Sequence, residues 1–295
     1  MSPARLAASA LLLLLTSASP APLRAAIPAA AAIDAASTNK VTLRYKFAKG
    51  QTLQFNTTAR QTISAVGSTT SLSESRVSLP SLFEVQEVTA TGGAEMTLAI
   101  RSPNIALTSN GQPVDVSNLV KSISSSQAQR TLLAEGTIVN PTPVGERDAS
   151  TSEAAAFVND LLAMQWPEFP SEPLSIGTQW LQTIPMAVTD DTGRVDATAN
   201  LRYTLKGFSK ANRNIAVIGV TYETEANGSV PTAGSNSTSA LVSRGRGDGF
   251  LLFDMQAGLV TETEYRLGIV NVVVSPVGAR TTLTVESTAR TIRTR

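Results

Sequence analysis

The chain reads as a mainly β protein. The sequence predicts curved antiparallel sheets, arranged as two related half-barrel or sandwich-like halves, with one or two central amphipathic helices. Three observations predict this. Apolar residues recur at every second position through most of the chain, glycine-bearing turns separate the runs, and only two mid-chain segments switch to a helical period.

In chain order, residues 1–18 carry one basic residue, Arg5, then an apolar run from Leu6 to Leu15, then small residues. That is the layout of a secretory signal peptide, and the run is shorter than the roughly 20 residues a membrane-spanning helix needs. Cleavage after Ala18 is expected, with later sites up to about Ala26 also compatible. Residues 19–39 are rich in Ala and Pro and read as a disordered tether. The leader implies export to a periplasmic or extracellular location, with no transmembrane segment after its removal.

Residues 40–148 form the first expected β half. In "VTLRYKF" Val41, Leu43, Tyr45 and Phe47 alternate with polar residues, and Leu53, Phe55, Ala59 and Ile63 continue the pattern. Lys49-Gly50, Val66-Gly67, Gly92-Gly93 and Asn110-Gly111 mark turns. A weak helix is expected over 116–134, with Leu119 and Ile123 on one side and Gly136 as its stop. Residues 149–168 are the stronger helix. Ala154, Phe157, Val158, Leu161 and Leu162 make an amphipathic stripe, Ser150 and Glu153 a capping box, and Pro167 an end. Residues 169–295 form the second β half, in which Val195, Ala197, Ala199, Leu201, Tyr203 and Leu205 share a face.

Three ordered matches point to duplication. "KGQTLQF" corresponds to "IGTQWLQT", pairing Gly50 with Gly177 and Leu53 with Trp180. "LFEVQEVTATGGAEMTLAI" corresponds to "LRYTLKGFSKANRNIAVIGV", and "EGTIVNPTPVGE" more loosely to "DGFLLFDMQAGLV".

Composition limits the chemistry. There are 24 Lys and Arg against 23 Asp and Glu, and removal of residues 1–18 takes away Arg5 and leaves 23 against 23. A balanced surface argues against nucleic acid as a partner. The chain has no Cys and no His, which removes disulfides, thiolate chemistry, the Ser-His-Asp triad and the commonest zinc ligand. Carboxylates remain: Asp190-Asp191, Asp248, Asp254, Glu262 and Glu264. Glu262 and Glu264 share a strand face with Arg266, as on a solvated, ion-paired surface. An aromatic content of 5% leaves few platforms for sugars. No catalytic residue, metal ligand or cofactor-binding residue is assigned, and no cofactor is expected.

The stretch "SRGRGDGFLLFD", residues 243–254, looks like a phosphate loop or an adhesion tripeptide. A phosphate loop needs a helix after its glycines. Here "FLLFD", a four-residue turn closed by Gly258 and a second strand follow, so the stretch reads as a strand whose glycines permit a bulge, a bend or close approach of another element, and a bend in a curved sheet is expected.

"LRYKFAKGQTLQF", "PSEPLSIGTQW" and "GFLLFDMQAGLV" together resemble the motifs of a family of exported bacterial proteins of unknown function. The resemblance covers most of the mature chain, rests on glycine, proline and aromatic positions, and implies an envelope or secreted β protein without carrying over catalytic residues. The function expected is non-catalytic: binding an apolar or envelope-derived ligand, or a partner protein, in the concavity of the sheets. A purely structural or adhesive β module is the alternative, and a carboxylate-based hydrolase the third choice. Phe157, Leu161, Trp166 and Trp180 are the expected ligand-facing residues.

Overall fold

The computed structural model describes residues 33–68, 70–125, 127–143, 165–190, 193–231 and 237–295. Its elements are β1 (Ile33–Asp34), β2 (Thr52–Ala65), β3 (Ser71–Val88), β4 (Ala94–Ile100), β5 (Asn104–Ser109), β6 (Gln112–Pro113), α1 (Ser117–Ser125), β7 (Gln127–Leu132), β8 (Ile138–Pro143), β9 (Gln179–Asp190), β10 (Gly193–Ser209), β11 (Ile215–Pro231), β12 (Thr238–Asp254), β13 (Leu259–Val274) and β14 (Arg280–Arg293). All strands belong to one antiparallel sheet, in the order β9-β10-β11-β12-β13-β14-β2-β3-β4-β7-β8. β1 shares the outer edge of β10 with β9, and β5 continues the line of β4 along the free part of β3.

The alternating residues form these strands for the expected reason. Leu53, Phe55 and Ile63 of β2, and Val195, Ala199, Leu201, Tyr203 and Leu205 of β10, are buried on one face. Along β12 the burial alternates in the same way from Ser239 to Gly245. One core cluster unites Leu53, Phe83 and Leu98 from one flank of the sheet with Tyr203, Ile218 and Phe253 from the other. Those flanks lie several strands apart, so the sheet must curl until they face each other, with this inner face enclosed. The outer face is polar and ion-paired: Arg246 to Glu223 at 3.5 Å, Arg244 to Glu225 at 3.7 Å, Arg290 to Glu262 at 2.8 Å and Arg60 to Glu74 at 3.9 Å. This is the reverse of the apolar band that a lipid-facing barrel presents.

The two halves repeat one unit. Gly50 donates to the Val85 carbonyl and Val85 donates back to Gln51; Gly177 donates to Leu205, which donates back to Thr178. Leu53 then pairs with Phe83, and Trp180 with Tyr203. Each long second strand slips register immediately afterwards, between Val85 and Glu87 and between Leu205 and Gly207. Thus β2-β3-β4-β7-β8 corresponds to β9-β10-β11-β12-β13, and β14 joins the two in the sheet. The third sequence match is offset. Pairing places Leu132 beside Ile138 and Phe253 beside Val260, so the turn containing Gly136 corresponds to the turn containing Gly258.

Four expectations need correction. The helix expected over 116–134 ends at Ser125, and Gln127–Leu132 is strand β7. Within that stretch Ala128, Arg130 and Leu132 alternate at period two and find ladder partners in Leu98, Met96 and Ala94, which outweighs a serine-rich sequence of low helix propensity. The surviving helix is capped by Asp115, which accepts the Ser117 amide at 2.9 Å, and it buries Ile123. Within the expected 19–39 tether, Ile33–Asp34 is a strand on β10. It lies against Gly207, whose φ of +139° and missing side chain leave room for it; a Cβ there would stand 2.5 Å from the Asp34 carbonyl oxygen. The segment Val41–Phe47 has the expected alternation but no ladder. It crosses the opening of the curl, held by an isolated bridge in which Val41 and Leu174 exchange both backbone bonds, and by single bonds from Tyr45 to Ala134 and from Lys46 to Gly258. Finally, the "RGRGDG" glycines, expected to mark a bend, sit in close packing against side chains of the neighbouring strands, as described below. The leader at 1–18, and residues 149–164 of the central helix with Phe157 and Leu161, lie outside the described residues.

Candidate functional site

The inner face is built in ranks, because paired residues on neighbouring strands line up across the sheet. One rank runs Gln182, Leu201, Tyr222, Gly247, Leu267, Ser287, Gln61, Ser75, Leu107 across nine strands. The next runs Trp180, Tyr203, Val220, Gly249, Tyr265, Ala289, Ala59, Val77, Ile105.

One end of this face is closed by aromatic rings. Trp166 lies 5.2 Å from Tyr45, 5.4 Å from Phe83 and 5.9 Å from Phe55, centroid to centroid. Phe169 lies 5.4 Å from Tyr45 and 4.8 Å from Phe253. The segment around "PEFP" therefore ties β2 and β3 to β12 through the middle of the curl. Trp166 is a core residue in this arrangement, 3% exposed. Trp180 is partly buried, stacks on Tyr203 at 5.4 Å and donates its indole N–H to the Glu168 carbonyl at 2.8 Å. The structure thus brings Trp166 and Trp180 to the same end of the inner face, on either side of Phe169.

The β12 glycines explain themselves on this face. Gly247 lies beneath the Tyr222 ring, and a Cβ there would stand 2.6 Å from Tyr222 Cζ; Gly249 would meet Tyr265 Cδ1 at 2.9 Å. Tyrosine rings covering bare backbone on the neighbouring strand compensate for missing side chains. Tyr222 then donates its hydroxyl to the Arg266 carbonyl at 2.8 Å. Arg246-Gly247-Asp248 accordingly sits in mid-strand, with Arg246 paired to Glu223 on the outer face.

Around and beyond the aromatic end the inner face also carries polar groups, Ser81 beside Phe55 and Gln165 beside Trp166 among them. Among the described residues, Gln61 Nε2, the hydroxyls of Ser75, Ser81, Thr224, Ser243 and Thr263, Gln165 Oε1 and both amide atoms of Asn271 are buried with no hydrogen-bond partner. Nearby polar atoms are satisfied: Gln165 Nε2 donates to Thr57 Oγ1 at 2.7 Å, and Thr57 and Thr291 share a bond at 2.9 Å. Gln61, Thr263 and Asn271 are each 1% exposed, Ser243 2% and Thr224 3%. A buried polar atom left unpaired costs about 1–3 kcal/mol, so a cluster of them on one face calls for an explanation.

The carboxylate candidates of β12 and β13 are elsewhere, and Asp191 lies outside the described residues. Glu262 pairs with Arg290 and Glu264 with Arg266 at 3.1 Å on the outer face, while Asp254 accepts the amides of Gln256 and Ala257, each at 2.9 Å, and so holds the β12–β13 turn. Among the described residues, no group of three or more His, Cys, Asp or Glu could hold a metal ion.

No protein-family model matches this chain, and no curated protein matches its sequence. Among solved structures it is similar to one of lipovitellin described for its lipid–protein interactions, at 10% sequence identity and a TM-score of 0.49. The match covers 85% of this chain and 26% of that one, so the chain spans about a quarter of the length of that protein.

Proposed function

We propose that this protein is exported, is not an enzyme, and holds an apolar ligand against the inner face of its curled sheet. The observation that carries this reading is the set of orphaned polar atoms on Gln61, Ser75, Thr224, Ser243, Thr263 and Asn271, set among apolar ranks. A fold with no use for these positions would fill them with Ala, Val or Leu, as it does elsewhere on the same face. A ligand that is mostly hydrocarbon but has a few hydrogen-bonding groups would satisfy both kinds of surface. The leader at 1–18 and the resemblance of "LRYKFAKGQTLQF", "PSEPLSIGTQW" and "GFLLFDMQAGLV" to exported bacterial proteins support the location. A partner protein reaching the same face is the variant of this reading that needs no small molecule.

A structural β module is the second reading, favoured by the dense ring packing around Trp166. Native mass spectrometry of protein purified from its own compartment separates the two. A mass excess that disappears on solvent extraction is expected; the bare chain mass in every preparation would favour the structural module.

A further inference from the structure

We propose that the end of the curled sheet opposite the aromatic rings docks on a lipid bilayer, with Val66 and Val277 inserted among the headgroups. This contact lies on the outside of the protein and does not depend on the inner face. Val277 tops the β13–β14 turn and is 88% exposed, and Val66 tops the β2–β3 turn and is 60% exposed. Leu72, at the start of β3, and Val242, on the outer face of β12, are exposed at the same end. Each tip is preformed. Ser275 N–H donates to the Ala279 carbonyl at 2.9 Å and Gly278 N–H to the Ser275 carbonyl at 2.9 Å, while Ser68 N–H donates to the Ala65 carbonyl at 3.0 Å. Val66 N–H, bonded to the Thr282 carbonyl at 3.1 Å, fastens one tip to the strand that follows the other. Docking of such tips orders little new in the chain.

Charge is nearly missing from this end. Residues 61–73, 104–113, 227–231, 237–243 and 267–285, which form it across β11 to β14, β2, β3 and β5, include one charged side chain, Arg280, in a chain that is 16% charged. The turns of the other end carry Lys49, Lys210, Arg213 and Asp254. On the outer face the neutral surface runs from the Ala240–Val274 pair through Val242–Val272. The first ion pair, Arg244 with Glu225, stands four residues and about 13 Å along the strand from Ala240. An interfacial element sinks roughly 5–10 Å into the boundary between headgroups and acyl chains, so the tips can enter without burying that pair. Arg280 is exposed, has no ion pair among the described residues, and lies across from Val274, where its guanidinium can reach lipid phosphates. Charge returns on β9 and β10 with Asp190, Arg194 and Asp196, so this end has no basic excess. Its attraction is therefore to a zwitterionic surface, through apolar burial. The shape argues against a second copy as the occupant. The exposed side chains crown narrow turns, so two such ends would meet at points, well short of the roughly 800 Å² per partner that a stable interface buries. A bilayer closes around protruding side chains.

The test uses the full-length mature protein and vesicles of dioleoylphosphatidylcholine, with bound protein separated by flotation. Val277→Trp places a reporter at the tip, at the opposite end from Trp166 and Trp180. Its added emission should shift to the blue with vesicles, and the shift should persist at high salt. The double variant Val66→Asp, Val277→Asp should fold as the parent does, because both positions are exposed, and should lose at least about tenfold in vesicle partitioning. A parent that stays out of the floating fraction, a double variant that floats as well as the parent, or a tip tryptophan that vesicles leave unchanged would overturn the proposal. Light scattering gives the molecular mass of the same proteins in solution. A parent dimer that the double variant returns to monomers would overturn the bilayer assignment and make this end an interface between copies.

Discussion

Trp166→Ala should destabilise the protein by about 3–5 kcal/mol, the range for truncating a large aromatic side chain in a packed core. Its indole contacts four rings, those of Tyr45, Phe47, Phe55 and Phe83. Tyr45 and Phe47 belong to the crossing segment, Phe55 to β2 and Phe83 to β3. Removing the indole therefore leaves a cavity where the segment that closes the curl meets the sheet. The backbone cannot collapse to fill it, because Phe169 N–H is bonded to the Glu135 carbonyl at 2.6 Å and Tyr45 Oη to the Pro167 carbonyl at 3.1 Å. Urea denaturation followed by far-UV circular dichroism measures the loss. A change below about 1 kcal/mol would place Trp166 on a loose lid and not in the core.

Stability should also collapse at alkaline pH. All four tyrosines of the chain, Tyr45, Tyr203, Tyr222 and Tyr265, are buried on the inner face or against it. Burial pushes each phenol above its ordinary value, and neighbouring tyrosines add a smaller push for Tyr45, Tyr203 and Tyr222. Tyr203 donates to Gln182 Oε1 at 2.9 Å, as Tyr45 and Tyr222 donate to backbone carbonyls, and only the protonated phenol can do so. A group whose folded pKa is raised contributes stability in full below its unfolded pKa, near 10, and loses it as pH climbs towards the folded value. Each tyrosine costs about 1.4 kcal/mol per pH unit in that window, so four together exhaust an ordinary domain stability within about two units. Tyrosinate absorbance and circular dichroism should change together in one steep transition above about pH 10. Gradual titration of all four phenols with the fold intact would contradict this placement.

How much of this was legible in the sequence differs from element to element. The faces of β2 and β10 were legible because Leu53, Phe55 and Ile63, or Leu201, Tyr203 and Leu205, alternate with unmistakably polar neighbours. The first two repeat matches were also legible, since Gly50 and Gly177 open the same turn and the apolar positions after them keep step. The third match was misplaced because β5, β6 and α1 are inserted between β4 and β7, where the second half has a direct β11–β12 hairpin. The strand at Gln127–Leu132 was hidden because its pairing with β4 is a tertiary fact that local propensity does not carry.

The glycines of β12 show the same limit. Their reason is Tyr222 and Tyr265, which lie on other strands. The polar groups of the inner face were the least legible part. In "TSALVSRG" of β12, both registers mix polar and apolar residues, Ser239, Leu241 and Ser243 on one and Thr238, Ala240, Val242 and Arg244 on the other, so the pattern does not single out Ser243 as inward-facing. Asn271 sits in "GIVNVVVS", where its neighbours Val270 and Val272 look more buried than it does. Only the register of five consecutive strands reveals that Thr224, Ser243, Asn271, Ser287 and Gln61 share one enclosed face.

The central claim is that these inner-face polar groups are there for a ligand and not for the fold. Replacing three of them with apolar residues of similar shape, Thr224→Val, Thr263→Val and Asn271→Leu, tests it most directly. Each removes a buried group without a protein partner, so the ligand-free triple variant should melt at the same temperature as the parent or higher, by about 1 kcal/mol or more in stability. Its retention of monooleoylglycerol, an apolar probe with a few hydrogen-bonding groups, read by native mass spectrometry beside the melting curve, should fall at the same time. A triple variant that is clearly destabilised and retains the probe as well as the parent would contradict the account and return these residues to the architecture of the sheet.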